Sequence, residues 1–282
     1  MNSSNPTYER RILRVLRHIH DHLDGDLSLE TLSKVACMSP FHWHRVFFGI
    51  TGETLANCIR RLRMDRATFL LLQTGDSVAE IAIQCGYGNA QSFARSFQAE
   101  YGLTPAKFRK SEISYKASTS PGQAPPKSFD IDIRHMPAYR LVAEAHLGGY
   151  QFLGRTISQL HARLVLRNMA SAEAAAIAVL HEDPWLIPES ELRSDIGFAM
   201  EPDSPLPPDF REVHIPAGRH AVLHFKGPYV GLFEAYQYLY GHWVPQNGVE
   251  LSDAPIYAMI LEDPREVSPN ELRTNICLPL LD

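Results

Sequence analysis

An internal repeat in the C-terminal half constrains the fold of this chain more than any other feature. Residues 133–150 read IRHMPAYRLVAEAHLGGY and residues 212–229 read EVHIPAGRHAVLHFKGPY, with matching residues 79 positions apart. A second pair, HEDPWLIPESELRSDI (181–196) and LEDPREVSPNELRTNI (261–276), repeats 80 positions apart. Each copy has the pattern of strand, Pro turn, strand, helix, strand, Asp-Pro turn and last strand. The repeat predicts two duplicated α+β modules with an antiparallel sheet, packed with pseudo-two-fold symmetry around a cleft.

A Ser- and Pro-rich segment separates this repeat from the N-terminal half. Residues 111–128, SEISYKASTSPGQAPPKS, have no hydrophobic period and are predicted to be a linker. The chain is therefore predicted to be multi-domain, with one domain at 1–110 and another at 129–282. Residues 1–116 hold 15 Lys and Arg against 11 Asp and Glu, whereas residues 117–282 hold 12 against 21. The N-terminal half has the basic balance that contact with phosphates needs, although many solvated helical domains share it.

The N-terminal half is predicted to be all-α, with seven helices. Ser39 followed by Pro40 is a strong helix start, and Ser77 with Glu80 has the spacing of a capping box. Two pairs of short helices surround tight turns, at residues 37–38 and 85–88, which predicts tandem helix-turn-helix units. A long helix over about 54–73 joins the two units. Its arginines are expected to lie largely on the outside: Arg60, Arg61, Arg63 and Arg66.

The second unit carries a family resemblance. The run GDSVAEIAIQCGYGNAQSFARSFQAEYGLTPAKFR (75–109) resembles the signature of the AraC/XylS transcription regulators. The hallmark positions of that family are matched by Gly86, Tyr87, Phe93, Phe97, Gly102, Thr104, Pro105 and Arg109. The similarity extends back to Ile12 and covers roughly 100 residues. It implies a monomeric unit that places two recognition helices in successive major-groove turns of double-stranded DNA, roughly 34 Å apart.

The resemblance also implies which side chains face the bases. In the first recognition helix, SPFHWHRVF, they are Phe41, His44 and Arg45, and in the second, NAQSFARSF, they are Ala90, Gln91, Ser92 and Arg95. Arg45 or Arg95 suits guanine and Gln91 suits adenine, because each side chain matches the paired groups on that base edge. Ala90 offers only an apolar contact. Two alternatives stay open: the arginines contact only phosphate or a carboxylate, and His44 is an exposed helix residue without a role.

The repeat in residues 129–282 is similar to the GyrI-like effector-binding domain, which is built from two such modules. An AraC-type reader followed by this domain is the arrangement of Rob-like regulators, and it implies sensing of a small apolar or cationic molecule. Many drug-sensing members keep a glutamate before the second Asp-Pro, where this chain has Ala258. Glu144 is the candidate replacement; alternatively it is a solvent-facing strand residue. The aromatic candidates for ligand binding, most of which equally suit a plain core, are Tyr150, Trp185, Tyr229, Trp243 and Tyr257.

Two other functions for the C-terminal half stay open. Its acidity suits binding to a protein partner instead of a ligand. Some domains of this duplicated fold resemble hydrolases of reactive small molecules, but the missing acid at position 258 and the attached reader count against an enzyme. We expect no catalytic residues and no cofactor. Contact with RNA polymerase is implied by the family resemblance alone.

The remaining sequence features exclude other classes of protein. The cysteines, Cys37, Cys58, Cys85 and Cys277, form no CxxC pair, and no histidine spacing suits a metal, so no metal site is expected. The N-terminus lacks the pattern of a signal peptide, and no run approaches the roughly 18 apolar residues of a membrane span. We therefore expect a cytoplasmic protein that does not contact a membrane.

Overall fold

The computed structural model describes residues 6–110, 128–170, 175–182 and 187–281. It divides into two compact units, Met1–Pro121 with His161–Ala170 and Gly122–Leu160 with Ser171–Asp282. The predicted linker at 111–128 lies outside the described residues except for Ser128.

The first unit contains seven helices within residues 6–110. They are α1 (Pro6–Asp21), α2 (Leu29–Ala36), α3 (Pro40–Thr51), α4 (Leu55–Gln73), α5 (Val78–Gln84), α6 (Ala90–Tyr101) and α7 (105–110). The pairs α2–α3 and α5–α6 are the two predicted helix-turn-helix units, and α4 is the predicted long helix between them. This part of the predicted fold class is confirmed.

Local side-chain caps explain where these helices begin. Ser77 and Glu80 form a complete capping box, in which each side chain accepts a hydrogen bond from the backbone of the other residue. The Asn89 side chain accepts a hydrogen bond of 2.8 Å from the Ser92 backbone N–H at the start of α6. Ser28, Ser39 and Thr54 cap α2, α3 and α4 in the same way. Each cap is worth about 1 kcal/mol and fixes the helix start to one residue.

Two aromatic-rich cores hold the helices together. In the first half, Trp43 and Phe47 of α3 are fully buried with Ile12 and Leu16 of α1. In the second half, Phe93 and Phe97 of α6 are fully buried, and the Phe97 ring lies 5.3 Å from that of Phe108 in α7. Burying each large side chain stabilises the fold by roughly 2–3 kcal/mol relative to exposing it, so the buried faces fix how α3 and α6 are rotated.

Within the described residues, the second unit is built on one antiparallel sheet of eight strands. The strands are β1 (Asp130–Met136), β2 (Tyr139–Leu147), β3 (Ala176–Leu180), β4 (Arg193–Ala199), β5 (Arg211–Ile215), β6 (Gly218–Lys226), β7 (Tyr257–Ile260) and β8 (Arg273–Pro279). Helix α8 (Leu153–Leu166) follows β2, and α9 (Leu232–Tyr238) follows β6. A π-helical turn, Leu239–Trp243, joins α9 to α10 (Val244–Asn247).

The strand order shows the pseudo-two-fold symmetry that the repeat predicts. The order is β1-β6-β8-β7-β3-β4-β2-β5, and exchanging the two modules reverses this order without changing any neighbour. The centre is the pairing of β3 with β7, where Ala178 lies opposite Ala258, the residue 80 positions later. The axis therefore passes through this alanine pair. Because β1 pairs with β6 and β5 pairs with β2, each module needs a strand of the other to complete its sheet.

The two faces of the sheet differ in what they pack against. On one face, Leu223, Ile276 and Leu278 pack against Ala235 and Leu239, which belong to α9 and to the π-helical turn. On the opposite face, a second cluster joins Tyr257 and Val179 to residues of both edge strands, Met136 in β1 and Ile215 in β5. We call these the helix face and the opposite face.

The glycine in the second helix-turn-helix turn is fixed by geometry. Gly86 has a φ of +73°, and a Cβ there would overlap with the carbonyl oxygen of Leu23 and the guanidinium of Arg63. Gly102 has a similar φ of +74° but no neighbour within 4 Å of an added Cβ. An added side chain would therefore meet the cost of a positive φ at both glycines, but it would overlap with neighbouring atoms only at Gly86.

We expect Gly86→Ala to destabilise the helical unit by about 2–4 kcal/mol, because left-handed strain and overlap with backbone add together. The control, Gly102→Ala, should cost only about 1–2 kcal/mol, from the strain alone. Urea unfolding of the full chain, followed by far-ultraviolet circular dichroism, measures both values. Equal losses of stability in the two variants would show that the close approach of Leu23 and Arg63 does not require a glycine at position 86.

Candidate functional site

Helix α3 presents one polar-aromatic face and buries the other. Phe41, His44 and Arg45 are exposed, and Phe41 retains 62% of its accessible surface. Trp43 and Phe47 lie on the opposite side of the helix and are fully buried. This separation follows from the helical period of 3.6 residues, which places positions 41, 44 and 45 together and positions 43 and 47 together.

Phe41 and Arg45 contact each other on the exposed face of α3. The Arg45 Cζ atom lies 4.2 Å from the centroid of the Phe41 ring, within the range of a cation–π interaction. The residues are four positions apart, so one turn of helix places the guanidinium over the ring. Their contact holds two side chains, one apolar and one cationic, as a stacked pair.

Helix α6 has the same two-sided design with different chemistry. Gln91 and Arg95 are exposed, Ala90 and Ser92 are half-buried, and Phe93 is fully buried. The Ser92 hydroxyl donates a hydrogen bond of 3.0 Å to the backbone carbonyl of Asn89. Ser92 is therefore limited to accepting a hydrogen bond while this contact persists, whereas Gln91 and Arg95 are available as donors.

Arg63 of α4 ties the two helix-turn-helix units into one body. Its Nε atom donates a hydrogen bond of 2.8 Å to the Leu23 carbonyl, and its Nη2 atom donates one of 3.3 Å to the Gly25 carbonyl. Its Cζ atom also lies 5.9 Å from the Tyr87 ring, in the turn of the second unit. One side chain thus joins the loop after α1, the long helix and the α5–α6 turn.

The expectation that the arginines of α4 lie largely outside is wrong for two of them. Arg63 is half-buried in the contacts above, and Arg61 forms an ion pair of 2.5 Å with Glu53, in which both side chains are mostly buried. Arg60 is exposed and Arg66 is half-buried. The physical reason is that backbone carbonyls and a buried carboxylate need cationic donors inside the unit. The basic balance of this unit is thus partly internal.

The candidate ligand residues are divided between the two faces of the sheet. Glu144 is half-buried on the helix face, and the half-buried Trp243 packs in the cluster on that face. Tyr229 is half-buried at the start of the turn before α9. Tyr257 is fully buried in the cluster of the opposite face. Trp185 lies outside the described residues. Tyr257 is therefore not on the same face as Glu144 and Trp243.

The register of the sheet locates Glu144 relative to Ala258. Across the helix face, Glu144 lies opposite Ile196, which lies opposite Ala178, which in turn lies opposite Ala258. Glu144 is thus in the same row as Ala258 but three strands away, about 14 Å at the usual spacing between strands. Its carboxylate lies on the side of the first module, away from the symmetry axis, so it does not occupy the position of Ala258.

Tyr150 is held by hydrogen bonds to its phenol. Its hydroxyl donates a hydrogen bond of 2.7 Å to the backbone carbonyl of Glu182. Its phenol also interacts with that of Tyr236 in α9, and burial raises the pKa of Tyr236 well above its usual range. Tyr236 packs in the cluster of the helix face.

Two further findings concern membrane spans and metal sites. No helix among the described residues combines the length and the apolar character that a membrane span requires. Across the same ranges, no group of three or more His, Cys, Asp or Glu side chains is arranged to hold a metal ion.

Comparison with known proteins identifies the family. The model of the GyrI-like small molecule binding domain matches residues 129–281, more than half of the chain, and a helix-turn-helix domain model matches residues 32–111. The chain belongs to the AraC-type regulators that carry a GyrI-like domain.

The similar relatives align with the first unit of this regulator. "Bifunctional transcriptional activator/DNA repair enzyme AdaA" of Bacillus subtilis is 36% identical over 96 residues, which are 34% of this chain and 46% of that protein. "Right origin-binding protein" of Escherichia coli is 32% identical over 93 residues, which are 33% of this chain and 32% of that protein. The chain therefore spans less than half the length of these relatives.

Solved structures match each half of this regulator separately. The DNA-binding domain of AdpA, solved in complex with a target DNA, is 26% identical and covers 38% of this chain and 97% of that domain, with a TM-score of 0.37. The C-terminal domain of EcmrR is 17% identical and covers 55% of this chain and 98% of that domain, with a TM-score of 0.46.

Three polar side chains on the helix side of the sheet are not among the candidate site residues, because their signals in the sequence of this regulator are weak. Tyr236 lies in the helical run EAYQYLY and is not singled out by the repeat. Ser194 and Thr274 are buried at equivalent positions of β4 and β8, and their hydroxyls have no hydrogen-bond partner among the described residues. A hydroxyl in both copies of the ELRSDI and ELRTNI segments is the signal that points to them.

A buried carboxyl of α4 lies close to the second recognition helix. Burial raises the pKa of Asp65 from 3.8 to about 6, against the opposing effect of Arg61. Asp65 in turn helps burial to raise the pKa of Tyr101, the last residue of α6. Because Asp65 binds its proton more tightly in the folded state, the stability of the unit falls as pH rises from about 4 to about 6.

Asp65→Asn should remove this loss. The stability of the variant relative to the unchanged protein is expected to grow by roughly 2–3 kcal/mol between about pH 4 and pH 7.5, since each pKa unit corresponds to 1.36 kcal/mol. Urea unfolding of both proteins at each pH measures the change. A difference that does not vary with pH would mean that the folded environment does not hold the proton on Asp65.

Proposed function

We propose that this chain is a sequence-specific DNA-binding transcription regulator whose C-terminal domain senses a small apolar or cationic molecule. The observation that carries the DNA-binding part is the pair of exposed polar faces on α3 and α6, each on the second helix of a helix-turn-helix unit. The rotation of each helix about its own axis is fixed by fully buried aromatic residues. These are Trp43 and Phe47 in α3 and Phe93 and Phe97 in α6. A fixed rotation is what recognition of base edges in the major groove requires.

The proposed readers supply complementary chemistry. Arg45 and Arg95 are suited to form paired hydrogen bonds with guanine, and Gln91 is suited to do so with adenine. Ala90 gives an apolar contact, and Ser92 accepts a hydrogen bond. His44 is exposed beside Arg45 on α3 and is proposed to contact the backbone or a base edge. If the arginines contact only phosphate, replacing them would weaken binding to all DNA sequences equally. This difference separates the two possibilities by experiment.

Single substitutions of the two exposed arginines test this proposal. Arg45→Ala and Arg95→Ala should each weaken binding to the preferred duplex by roughly 1–3 kcal/mol relative to a scrambled duplex, because each removes a bidentate base contact. Arg17→Ala is the matched control: it removes one exposed arginine from α1, which carries no proposed reader. Fluorescence anisotropy at fixed salt, on duplexes selected from a random pool by the full chain, measures the losses.

The ratio of specific to scrambled binding decides the outcome. A ratio that falls in Arg45→Ala and Arg95→Ala but not in Arg17→Ala supports base reading by α3 and α6. If both variants keep the full ratio, these arginines are not base readers and contact phosphate only.

The proposed sensing site lies on the helix face of the sheet. The pseudo-two-fold axis passes between Ala178 and Ala258, so the centre of that face carries two small, uncharged side chains. Tyr236 and Trp243 pack in the cluster of the helix face, and rings of this kind bind flat apolar molecules or cations through their faces. Without a carboxylate at position 258, the negative charge for a cation comes from Glu144, displaced toward the first module.

A charged ligand and a neutral relative of similar shape test the role of Glu144. Titration of the full chain with tetraphenylphosphonium and with triphenylphosphine oxide should show saturable binding of both. Glu144→Gln should weaken the cation about tenfold, in line with loss of roughly 1.4 kcal/mol from one partly desolvated charge pair, and leave the neutral compound unchanged. Glu266→Gln, which removes an exposed carboxylate after β7, is the control.

The same titration addresses the alternative partner. Binding of neither compound at any accessible concentration would remove the support for a small-molecule sensor of this chemistry. It would favour a C-terminal domain that binds a protein through its acidic surface. Equal loss of the cation in Glu144→Gln and Glu266→Gln would show that only the net charge of the domain matters.

A further inference from the structure

Each helix-turn-helix unit, taken with the helix before it, repeats one pattern at a distance of 49 residues. The N-cap residues of α2 and α5 are 49 positions apart. In the turns that follow, Cys37 and Gly86 are 49 positions apart, and both have a positive φ, of 52° and 73°. Val15 of α1 and Met64 of α4 keep the same distance, and both are fully buried. Helix α1 is therefore to the first unit what α4 is to the second.

This equivalence pairs two arginines. Arg14 of α1 and Arg63 of α4 are again 49 positions apart. Each guanidinium lies at the turn of its own unit. The Cζ atom of Arg63 lies 5.9 Å from the Tyr87 ring, and the Nη2 atom of Arg14 donates a hydrogen bond of 3.2 Å to the Sγ atom of Cys37. The same helix position thus directs an arginine to the turn in both units.

The two arginines differ in how their donors are used. Arg63 is half-buried and donates hydrogen bonds to the carbonyls of Leu23 and Gly25. Arg14 is exposed, and across the described residues the Cys37 thiol is its one hydrogen-bond partner. A guanidinium carries five N–H donors, and a thiol is a weak acceptor. Most of the hydrogen-bonding capacity of Arg14 is therefore unused within this part of the chain.

The contact with Cys37 places Arg14 beside the beginning of α3. Cys37 precedes Ser39, the N-cap of α3, by two residues. In helix-turn-helix proteins bound to DNA, the N-terminal residues of the recognition helix contact base edges. Arg10, Arg14 and Arg17 are all exposed and follow the spacing i, i+4 and i+7, so they form one cationic face of α1. This face passes the end of α3 that the proposed function turns toward DNA.

We propose that Arg14 binds a backbone phosphate of DNA just outside the base pairs that α3 reads, an inference that rests on the proposed DNA-binding function. The paired N–H groups of a guanidinium match two phosphate oxygens. Such a contact fixes how α3 enters the groove and carries no sequence information of its own. The second unit has no such contact from the equivalent position, because Arg63 spends its donors on backbone carbonyls.

The salt dependence of binding measures this contact. The logarithm of the binding constant falls linearly with the logarithm of the salt concentration, by roughly 0.9 for each phosphate contact. Arg14→Ala should therefore reduce the slope by roughly 0.9 and weaken binding about eightfold at roughly 0.1 M salt, on selected and scrambled duplexes alike. Fluorescence anisotropy of the full chain, with duplexes that it selects from a random pool, measures both quantities.

Two further variants control for charge and for local structure. Arg219→Ala removes an exposed arginine from β6, for which no DNA contact is proposed, and should leave the slope unchanged. Arg14→Gln removes the charge but keeps a hydrogen-bond donor for Cys37, and it should match Arg14→Ala. Arg14→Lys should keep the full slope, because an ammonium group also neutralises a phosphate. Circular dichroism checks that each variant is folded.

Neutral phosphates locate the contact on the duplex. One phosphate at a time is replaced by a methylphosphonate, which keeps the backbone and removes its charge. The α3 site is defined by the base pairs at which Arg45→Ala loses discrimination. At one phosphate flanking this site, the replacement should weaken binding of the unchanged protein about eightfold and have no further effect on Arg14→Ala.

The outcomes separate this inference from the proposed function. If no duplex is enriched, the proposed sequence-specific binding fails, and the slope on an unselected duplex still tests Arg14. An unchanged slope in Arg14→Ala and Arg14→Gln overturns the inference, and so does an equal fall in Arg219→Ala, because only net charge would then matter. If every methylphosphonate weakens the unchanged protein and Arg14→Ala equally, Arg14 does not bind a phosphate of this duplex, and the proposed function stands without it.

Discussion

The hydrogen bonds of Arg63 hold the arrangement of the helical unit on which the proposed DNA reading depends. A single guanidinium donates to two backbone carbonyls in the loop after α1 and lies beside the Tyr87 ring in the turn between α5 and α6. Gly86 makes room for it, because a Cβ at that position would overlap with the guanidinium and with the Leu23 carbonyl. The proposed DNA reading by α3 and α6 requires a fixed separation between the two helices. The guanidinium groups of Arg61 and Arg63 are therefore engaged inside the unit, whereas Arg45 of α3 and Arg95 of α6 are exposed.

The sheet unit depends on a different constraint, the exchange of strands between its two modules. Since β1 pairs with β6 and β5 pairs with β2, neither half can form its sheet alone, and the Ala178–Ala258 pair lies at the centre of the result. The repeat distance makes this pair symmetric, because position 258 is the repeat of position 178. Any larger side chain at position 258 would lie close to its symmetry counterpart at position 178, which is directly opposite. Two alanines therefore give a centre without charge, and Glu144, the proposed source of negative charge for a cationic ligand, lies off the axis.

Much of this was predictable because it depends on neighbours along the chain. Helix starts follow from caps such as Ser77 and Asn89, which satisfy backbone N–H groups two or three residues away. The buried and exposed sides of α3 and α6 follow from the helical period, so the positions of Phe41, Trp43, Arg45 and Phe93 were accessible from sequence. The duplication of the sheet modules followed from the repeat itself. The roles of the candidate DNA and ligand residues remain predictions.

The sequence by itself determined the two helix-turn-helix units, the family and the duplicated modules, because local caps, hydrophobic period and repeats are written in consecutive residues. Only the tertiary structure decided that Arg61 and Arg63 face inward, that Tyr257 belongs to the opposite face from Glu144, and that Arg45 stacks on Phe41. Those outcomes depend on which carbonyl, strand or ring a side chain meets from elsewhere in the fold. A long side chain on an amphipathic helix has several directions available, and the nearest unpaired acceptor selects among them.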